Sequence, residues 1–388
     1  MSTFLPPNSG SAPTITYNGS TITLPMGSDP ADFDEKGFPQ TTQTASKSKY
    51  VIPWDPGVCD KTAYDAFKMI KGRLTTKKRG NYGYEQGCIP RVKVELPFDS
   101  GGGEPRITWL GHATTVVQLN GKLILTDPVF SVRCSPSRYM GPKRYTEPGC
   151  TIEELISANV VFDVCVISHD HYDHLDVDSI RALKNIVKKW YVPGGTASVL
   201  TGVGVGKEAV KEMVWWEEGE DDSGLTVVCC PAQHWCCRKP WDRNKRLWAT
   251  WVVKFNNSRF FFGGDTGYPT KFPLFKMIGD LHGPFDVSAI PIGAYHPRWF
   301  MAPAHTDPKS AVDIHRDVKS KTSIAIHWGT FPLADELYFA PVSELLEHKG
   351  GEDDFVALRI GEGVTSGSKI DCRVGLTRLL ELAEEGGG

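Results

Sequence analysis

Several features that mark familiar protein classes are scarce or missing in this chain of 388 residues. It holds no run of about 18 consecutive apolar residues, so no continuous membrane-spanning helix is expected. The opening stretch, MSTFLPPNSGSAP, lacks the basic start and apolar centre of a secretory leader, which points to an intracellular protein that is not secreted. Positive charge is not in excess: 43 Lys and Arg stand against 46 Asp and Glu, a formal charge of −3. The global basic field of a protein that lives on nucleic acid is therefore absent, and nucleic acid is not expected as a partner. Ten cysteines contain no C-x-x-C pair, which removes support for a cysteine-only zinc site. The adjacent pairs Cys229–Cys230 and Cys236–Cys237 suit no small disulfide framework and read as reduced, mostly buried thiols. The glycine-rich stretch TGVGVGK at 201–207 is not a phosphate loop, because Thr201 and Glu208 occupy the places of its first glycine and its Ser or Thr.

Residues 1–45 are rich in Ser, Thr, Pro, Gly and Asp without a sustained period, which predicts an extended or disordered arm. One domain is expected over 46–380, with a flexible tail at 381–388. A helix can run through Tyr64, Phe67, Met69, Ile70 and Leu74, and a glycine linker at 101–103 leads into Ile107. Between about 106 and 330, short apolar runs bounded by Gly, Pro, Asn or Asp alternate with helical stretches, an α/β pattern. Val116–Leu119 and Leu123–Thr126 form a hairpin, since Asn120-Gly121 takes the positive φ of a tight turn. Asp176 caps a helix that sets Val177, Ile180, Leu183 and Ile186 or Val187 on one face.

Four apolar runs end just before a residue able to bind a metal: 160–168 before His169, 225–230 before His234, 260–262 before Asp265 and 323–326 before His327. As strands of one layered unit, their ends can meet at one rim, where such folds place ligands. The densest group is Ser168-His169-Asp170-His171-Tyr172-Asp173-His174. Its spacings of two and three cannot share one side of a helix or strand, so they imply a loop wrapped around something small. Three imidazoles and a carboxylate suit zinc far better than calcium or magnesium, which prefer oxygen. Asp265 follows Gly263-Gly264, whose freedom lets the backbone pass close to an occupied site, and a bridging carboxylate fits there.

In order and spacing these motifs resemble those of the metallo-β-lactamase superfamily, and longer stretches are similar to its N-acyl-phosphatidylethanolamine-hydrolysing phospholipases D. The stretches are WLGHATTVVQ (109–118), SPSRYMGPKR (135–144), SHDHYDHLD (168–176), CPAQHWC (230–236), FFFGGDTGY (260–268), PFDVSAIPIGAYHPRWFM (284–301) and AIHWGTF (325–331). The resemblance implies a four-layer αββα sandwich with a dinuclear metal site at one rim of the sheets. It puts one zinc ion on His169, His171 and His234, a second on Asp173, His174 and His327, and Asp265 between them as the catalytic bridge. Asp127 would lie behind the metals and order the loop, while Tyr172 and His305 would contact the substrate phosphate or the leaving group. Ala304 and Cys237 depart from the family's pattern, which expects glutamine and lysine there.

The implied reaction hydrolyses N-acyl-phosphatidylethanolamine to an N-acylethanolamine and phosphatidic acid, by attack on phosphorus of hydroxide supplied through two zinc ions. A homodimer in peripheral contact with the cytoplasmic face of a membrane is also implied. Local composition adds to the lipid reading. Arg238, Lys239, Arg243, Lys245 and Arg246 surround Trp235 and Trp241, and Arg133, Arg138, Lys143 and Arg144 accompany Tyr139 and Met140, mixtures that suit an anionic lipid surface or a solvated loop. Tyr295, Trp299, Phe300 and Met301 can line an acyl-chain groove or belong to the core. The metal motifs alone also permit a soluble zinc phosphodiesterase or lactonase acting on a sugar phosphate or nucleic-acid end, and a non-catalytic lipid-binding scaffold is the third reading.

Overall fold

The computed structural model describes residues 12–44, 49–62, 64–65, 68–69, 71, 89, 91–98, 103–350 and 354–368. The tail 381–388 lies outside them, as does most of the helix expected through Tyr64 to Leu74. Near the start, Thr14–Tyr17 (β1) and Ser20–Thr23 (β2) form a hairpin, and Thr42–Thr44 (β3) pairs with Lys49–Val51 (β4). Residues 12–44, the described part of the region whose composition suggests an extended or disordered arm, pack onto the body. Ile15, Tyr17, Leu24 and Phe33 enter the main core, the Tyr17 hydroxyl donates to Asp280, and the Trp216 indole donates to the Pro39 carbonyl. Tyr17 packs edge-on against Phe38 of the same segment, whereas Phe33 meets Phe272, far along the chain.

Two seven-stranded mixed sheets form the body. In the first, Arg106–Gly111 (β5), Thr114–Leu119 (β6) and Lys122–Thr126 (β7) are antiparallel. Phe162–Val166 (β8), Val187–Pro193 (β9) and Val210–Met213 (β10) follow in parallel. In the second, Glu218–Glu220 (β11), Thr226–Cys230 (β12), Thr250–Phe255 (β13) and Ser258–Phe262 (β14) are antiparallel. Val287–Pro291 (β15), Ser323–Ile326 (β16) and Phe355–Val356 (β17) extend it in parallel, and Gly363–Thr365 (β18) returns to pair with β5.

Strand periodicity assigns the faces. Val117, Ile124, Val164 and Val166 pack towards the second sheet, while their alternate neighbours Val116, Leu123, Leu125 and Cys165 join Leu155, Ile180, Leu183 and Leu200 of the covering helices. On the second sheet, Phe261 meets Phe275 of the helix Leu274–His282, while Phe260 and Phe262 stack with each other on the opposite face. Helices outside two facing sheets make the layered α/β sandwich expected from the sequence.

The Asn120-Gly121 turn has φ of +49° and +87° and joins Leu119 to its partner Lys122, as its residues require. Asp176 caps the helix Val177–Leu183 by accepting from the Asp178 amide. That helix stops earlier than its apolar pattern suggests, because Val187 is taken into β9 opposite Phe162. Among the described residues eight cysteines are free thiols, seven of them buried.

Candidate metal centre

β8, β12, β14 and β16 deliver their following loops to one rim. His169 Nε2 lies 2.8 Å from His171 Nδ1, which is 3.3 Å from His234 Nε2. Beside this group, His174 Nε2 is 3.1 Å from His327 Nε2, and Asp173 Oδ2 is 3.4 Å from each. Asp265 stands between the two sets: its Oδ2 is 3.3 Å from His174 Nε2 and 3.8 Å from His234 Nε2, and its Oδ1 is 2.9 Å from His327 Nε2. All seven residues expected as ligands thus meet, although they are spread along the chain from His169 to His327.

The rest of the chain holds this geometry from behind. Asp127 accepts from the Ser168 amide at 2.7 Å, the Ser168 hydroxyl at 2.5 Å and His174 Nδ1 at 2.6 Å. His234 Nδ1 donates to the Ala304 carbonyl at 2.8 Å. These bonds place the ring protons of His174 and His234 on Nδ1, so each Nε2 presents a lone pair to the centre. Gly264, at φ +53°, runs so close to the ligand loop that a Cβ there would sit 2.5 Å from the Ser168 side chain, which explains the glycine before Asp265. Asp170 is tied to Arg246 at 2.9 Å, and Arg238 donates to the carbonyls of Asp170 and Leu175, closing the loop around the histidines.

The donor set fits a metal. Lone-pair atoms crowd together in a buried space, and Asp265 Oδ1 is buried there without a hydrogen-bond partner. Such crowding is unfavourable unless a cation draws the donors together. The mixture of imidazole and carboxylate suits a transition-metal ion better than calcium or magnesium. Burial keeps His169 and His234 well below the ordinary imidazole value. Burial also pushes His174 and His327 down, but the carboxylates of Asp265 and Asp173 outweigh it, lifting His174 well above its usual value and His327 to about 9. Burial likewise opposes ionisation of Asp173 and Asp265, yet the facing imidazoles hold both well below the carboxylate range. A cation entering this set displaces the protons on His174 and His327.

His305 approaches from the open side, its Nδ1 3.7 Å from Asp265 Oδ2, with the side chain 15% exposed where the ligand imidazoles of His174, His234 and His327 are wholly covered. Burial pushes its imidazole down to about 4. The Tyr172 hydroxyl donates to the Arg238 carbonyl at 2.9 Å, and its ring lies under that guanidinium. It lines a groove of about 650 Å³ with Arg133, Arg138 and Arg238. Much of the cationic patch is committed inside: Arg246 pairs with Asp170 and Asp242, and buried Arg144 donates to the Val129 carbonyl. Facing solvent are the large apolar side chains Tyr139 (90% exposed), Met140 (73%) and Trp241 (68%), beside the cations Arg138, Lys143, Lys239 and Lys245. Tyr295 is core, bonded to Glu344, whereas Trp299 is open.

One residue of the centre escapes the sequence reading. His112 is buried, with Nε2 3.1 Å from Asp173 Oδ2 and its ring 4.2 Å from that of His327. The available signal was a histidine in a two-residue turn between strong strands, at a place that ordinarily holds glycine.

A family model described as the β-lactamase superfamily domain matches residues 122–328. The Caenorhabditis elegans protein named N-acyl-phosphatidylethanolamine-hydrolyzing phospholipase D 1 is 43% identical over 269 residues, 66% of this chain and 74% of that protein. The Saccharomyces cerevisiae mitochondrial protein named N-acyl-phosphatidylethanolamine-hydrolyzing phospholipase D is 33% identical over 255 residues, 64% of this chain but only 53% of that protein. The fold is shared with isothiocyanate hydrolase from Delia radicum gut bacteria, at TM-score 0.52 and 17% identity over 68% of this chain and all of that one. It is also shared with the metallo hydrolase Igni18 of Ignicoccus hospitalis, at TM-score 0.51 and 20% identity over 69% of this chain and all of that one. A matched superfamily domain around an assembled metal-ligand set, with a long and close relative, places the chain in the metallo-β-lactamase superfamily and, within it, in the N-acyl-phosphatidylethanolamine-hydrolysing phospholipase D family of metal-dependent phosphodiester hydrolases.

Proposed function

We propose that the protein hydrolyses N-acyl-phosphatidylethanolamine to an N-acylethanolamine and phosphatidic acid with two zinc ions. The observation that carries this reading is the 43% identity to the worm protein so named, supported by the imidazole and carboxylate side chains gathered at one rim. His169, His171 and His234 would hold one ion, Asp173, His174 and His327 the other, and Asp265 both. When bound, two such ions make water a nucleophile at neutral pH and neutralise charge on the phosphoryl oxygens. Asp127 and Ser168 keep the ring protons of His174 and His169 turned away from where the ions would sit, and Asp265 would serve both. His305 touches the phosphate or the departing alkoxide from the open side. Tyr172 contributes its ring to the wall of the groove, where Arg133, Arg138 and Arg238 complement an anionic headgroup. The exposed Tyr139, Met140 and Trp241 favour peripheral contact with a membrane surface, proposed here as an intracellular, cytoplasmic face engaged by a homodimer.

No histidine in the chain is followed two residues later by lysine, so the H-x-K-x-x-x-x-D pattern of phospholipases D that form a phosphohistidine is absent. Water should therefore attack phosphorus directly. In butanol-containing assays the phosphatidyl product should be phosphatidic acid alone, and in isotopically labelled water one solvent oxygen should enter it and none the ethanolamide. Substantial phosphatidylbutanol, or label in the ethanolamide, would sink the mechanism.

A further inference from the structure

His112 precedes the residues 122–328 matched by the superfamily model and belongs to neither set of expected ligands. Its amide, its carbonyl and its Nε2 are nevertheless all engaged. It is the first central residue of the turn joining β5 to β6, with φ +52°, in a backbone region that side chains avoid and glycine ordinarily supplies. The amide donates to Thr330 Oγ1 at 2.8 Å, and the carbonyl accepts from the His327 amide at 3.0 Å and the Trp109 indole at 2.8 Å. A non-glycine residue persists in this conformation where its surroundings over-determine it, and such places cluster at functional sites. The ring lies against His327 and meets Phe331 edge-on at 5.1 Å. Its Nε2 reaches Asp173 Oδ2 at hydrogen-bond distance, while Nδ1 is buried without a partner.

We propose that His112 is a positioning residue that donates its Nε2–H to Asp173 and thereby fixes that carboxylate for the metal position it shares with His174 and His327. A carboxylate oxygen has lone pairs for both a hydrogen bond and a cation. Asp173 rides on a loop, and Oδ2 has to be held 3.4 Å from two imidazole nitrogens that belong to different elements. Partners that orient a ligand in this way are worth roughly 10- to 100-fold in metal affinity.

The inference rests on the two-position reading above, and zinc titration of the metal-free protein against a chromophoric chelator separates the two. The wild type should take up two ions. His112→Leu, close in volume but without a donor, should hold one ion as the wild type does and the other roughly 10- to 100-fold more weakly. His112→Gln, which keeps an N–H although an amide is a poor zinc ligand, should stay near the wild type. Cobalt substitution reads the same pair of positions by absorption, independently of turnover, and His327→Ala marks loss of the second position. Unchanged binding of both ions in His112→Leu overturns the proposal, as does a His112→Gln protein as weak as His327→Ala. If His112→Leu does not fold, His112→Gln decides by the same criterion. A wild type that binds one ion overturns the two-position reading and the proposal together.

Discussion

Replacing Asp265 by asparagine changes its shape little but removes a charge from between two sets of imidazoles, with His327 Nε2 2.9 Å away and His174 Nε2 at 3.3 Å. An amide is a poor bridge between cations, so Asp265→Asn should lose metal. Its turnover should fall by more than the roughly hundredfold that an outer partner alone contributes. Near-wild-type activity with two bound ions would falsify the bridging role. His305 differs in place, because it faces the centre from its open side, beside Asp265 and His234, and its side chain is partly exposed. His305→Ala should lower kcat by roughly tenfold to a thousandfold, the range for one acid, base or electrostatic contact, while metal content stays unchanged. Metal loss in that variant would make His305 a ligand instead.

The ligand loop works as an element because it is gripped on several sides at once. Asp127 holds it from β7, Arg246 through Asp170, and Arg238 through two carbonyls. Its far end is closed by Asp176, which accepts from the Asp178 amide, the Ser179 hydroxyl and the Ser131 amide. The residue therefore caps the helix Val177–Leu183 and also pins the segment that lines the groove beside Tyr172. A cap alone is worth about 1 kcal/mol, so Asp176→Ala should cost roughly 1–2 kcal/mol by denaturant titration. The lost contact to Ser131 should also raise KM for vesicle substrate more than it lowers kcat. A loss of well under 0.5 kcal/mol with unchanged KM would show that the groove wall does not depend on this carboxylate. Elements of this size were readable because their signals are local: an Asn-Gly turn, an Asp cap, alternating apolar faces. The helix end at Leu183 was less so, since β9 competes for Val187 and wins through pairing with Phe162.

At the scale of the whole molecule, pH stability has a component far from the metal centre. His282, at the end of the helix Leu274–His282, is buried, and burial, with Lys254 and Arg259 nearby, pushes its imidazole down to about 4. Its folded value lies below the ordinary 6.5, so its contribution is complete above pH 6.5 and is lost as pH falls towards 4. The whole shift corresponds to at most on the order of 3 kcal/mol, and His282→Asn should flatten the acid limb of the stability curve between these values. An identical limb in the variant would assign that loss of stability to other groups. The sequence by itself determined the α/β pattern, the hairpin at Asn120-Gly121 and the chemistry of the loop 168–174, because periodicity, turn residues and ligand spacing act over a few neighbours. It also reached the distant His234, Asp265 and His327, each standing just beyond an apolar run, and the resemblance assigned their roles. Only the tertiary structure brought His112 to Asp173, drew Arg144 and Arg246 inward from an apparent cationic surface, and packed Ile15, Tyr17 and Phe33 into the main core. Those partners are set by strand order and by the facing of two sheets, and contacts between segments so far apart in the chain leave no period or spacing for a local pattern to carry.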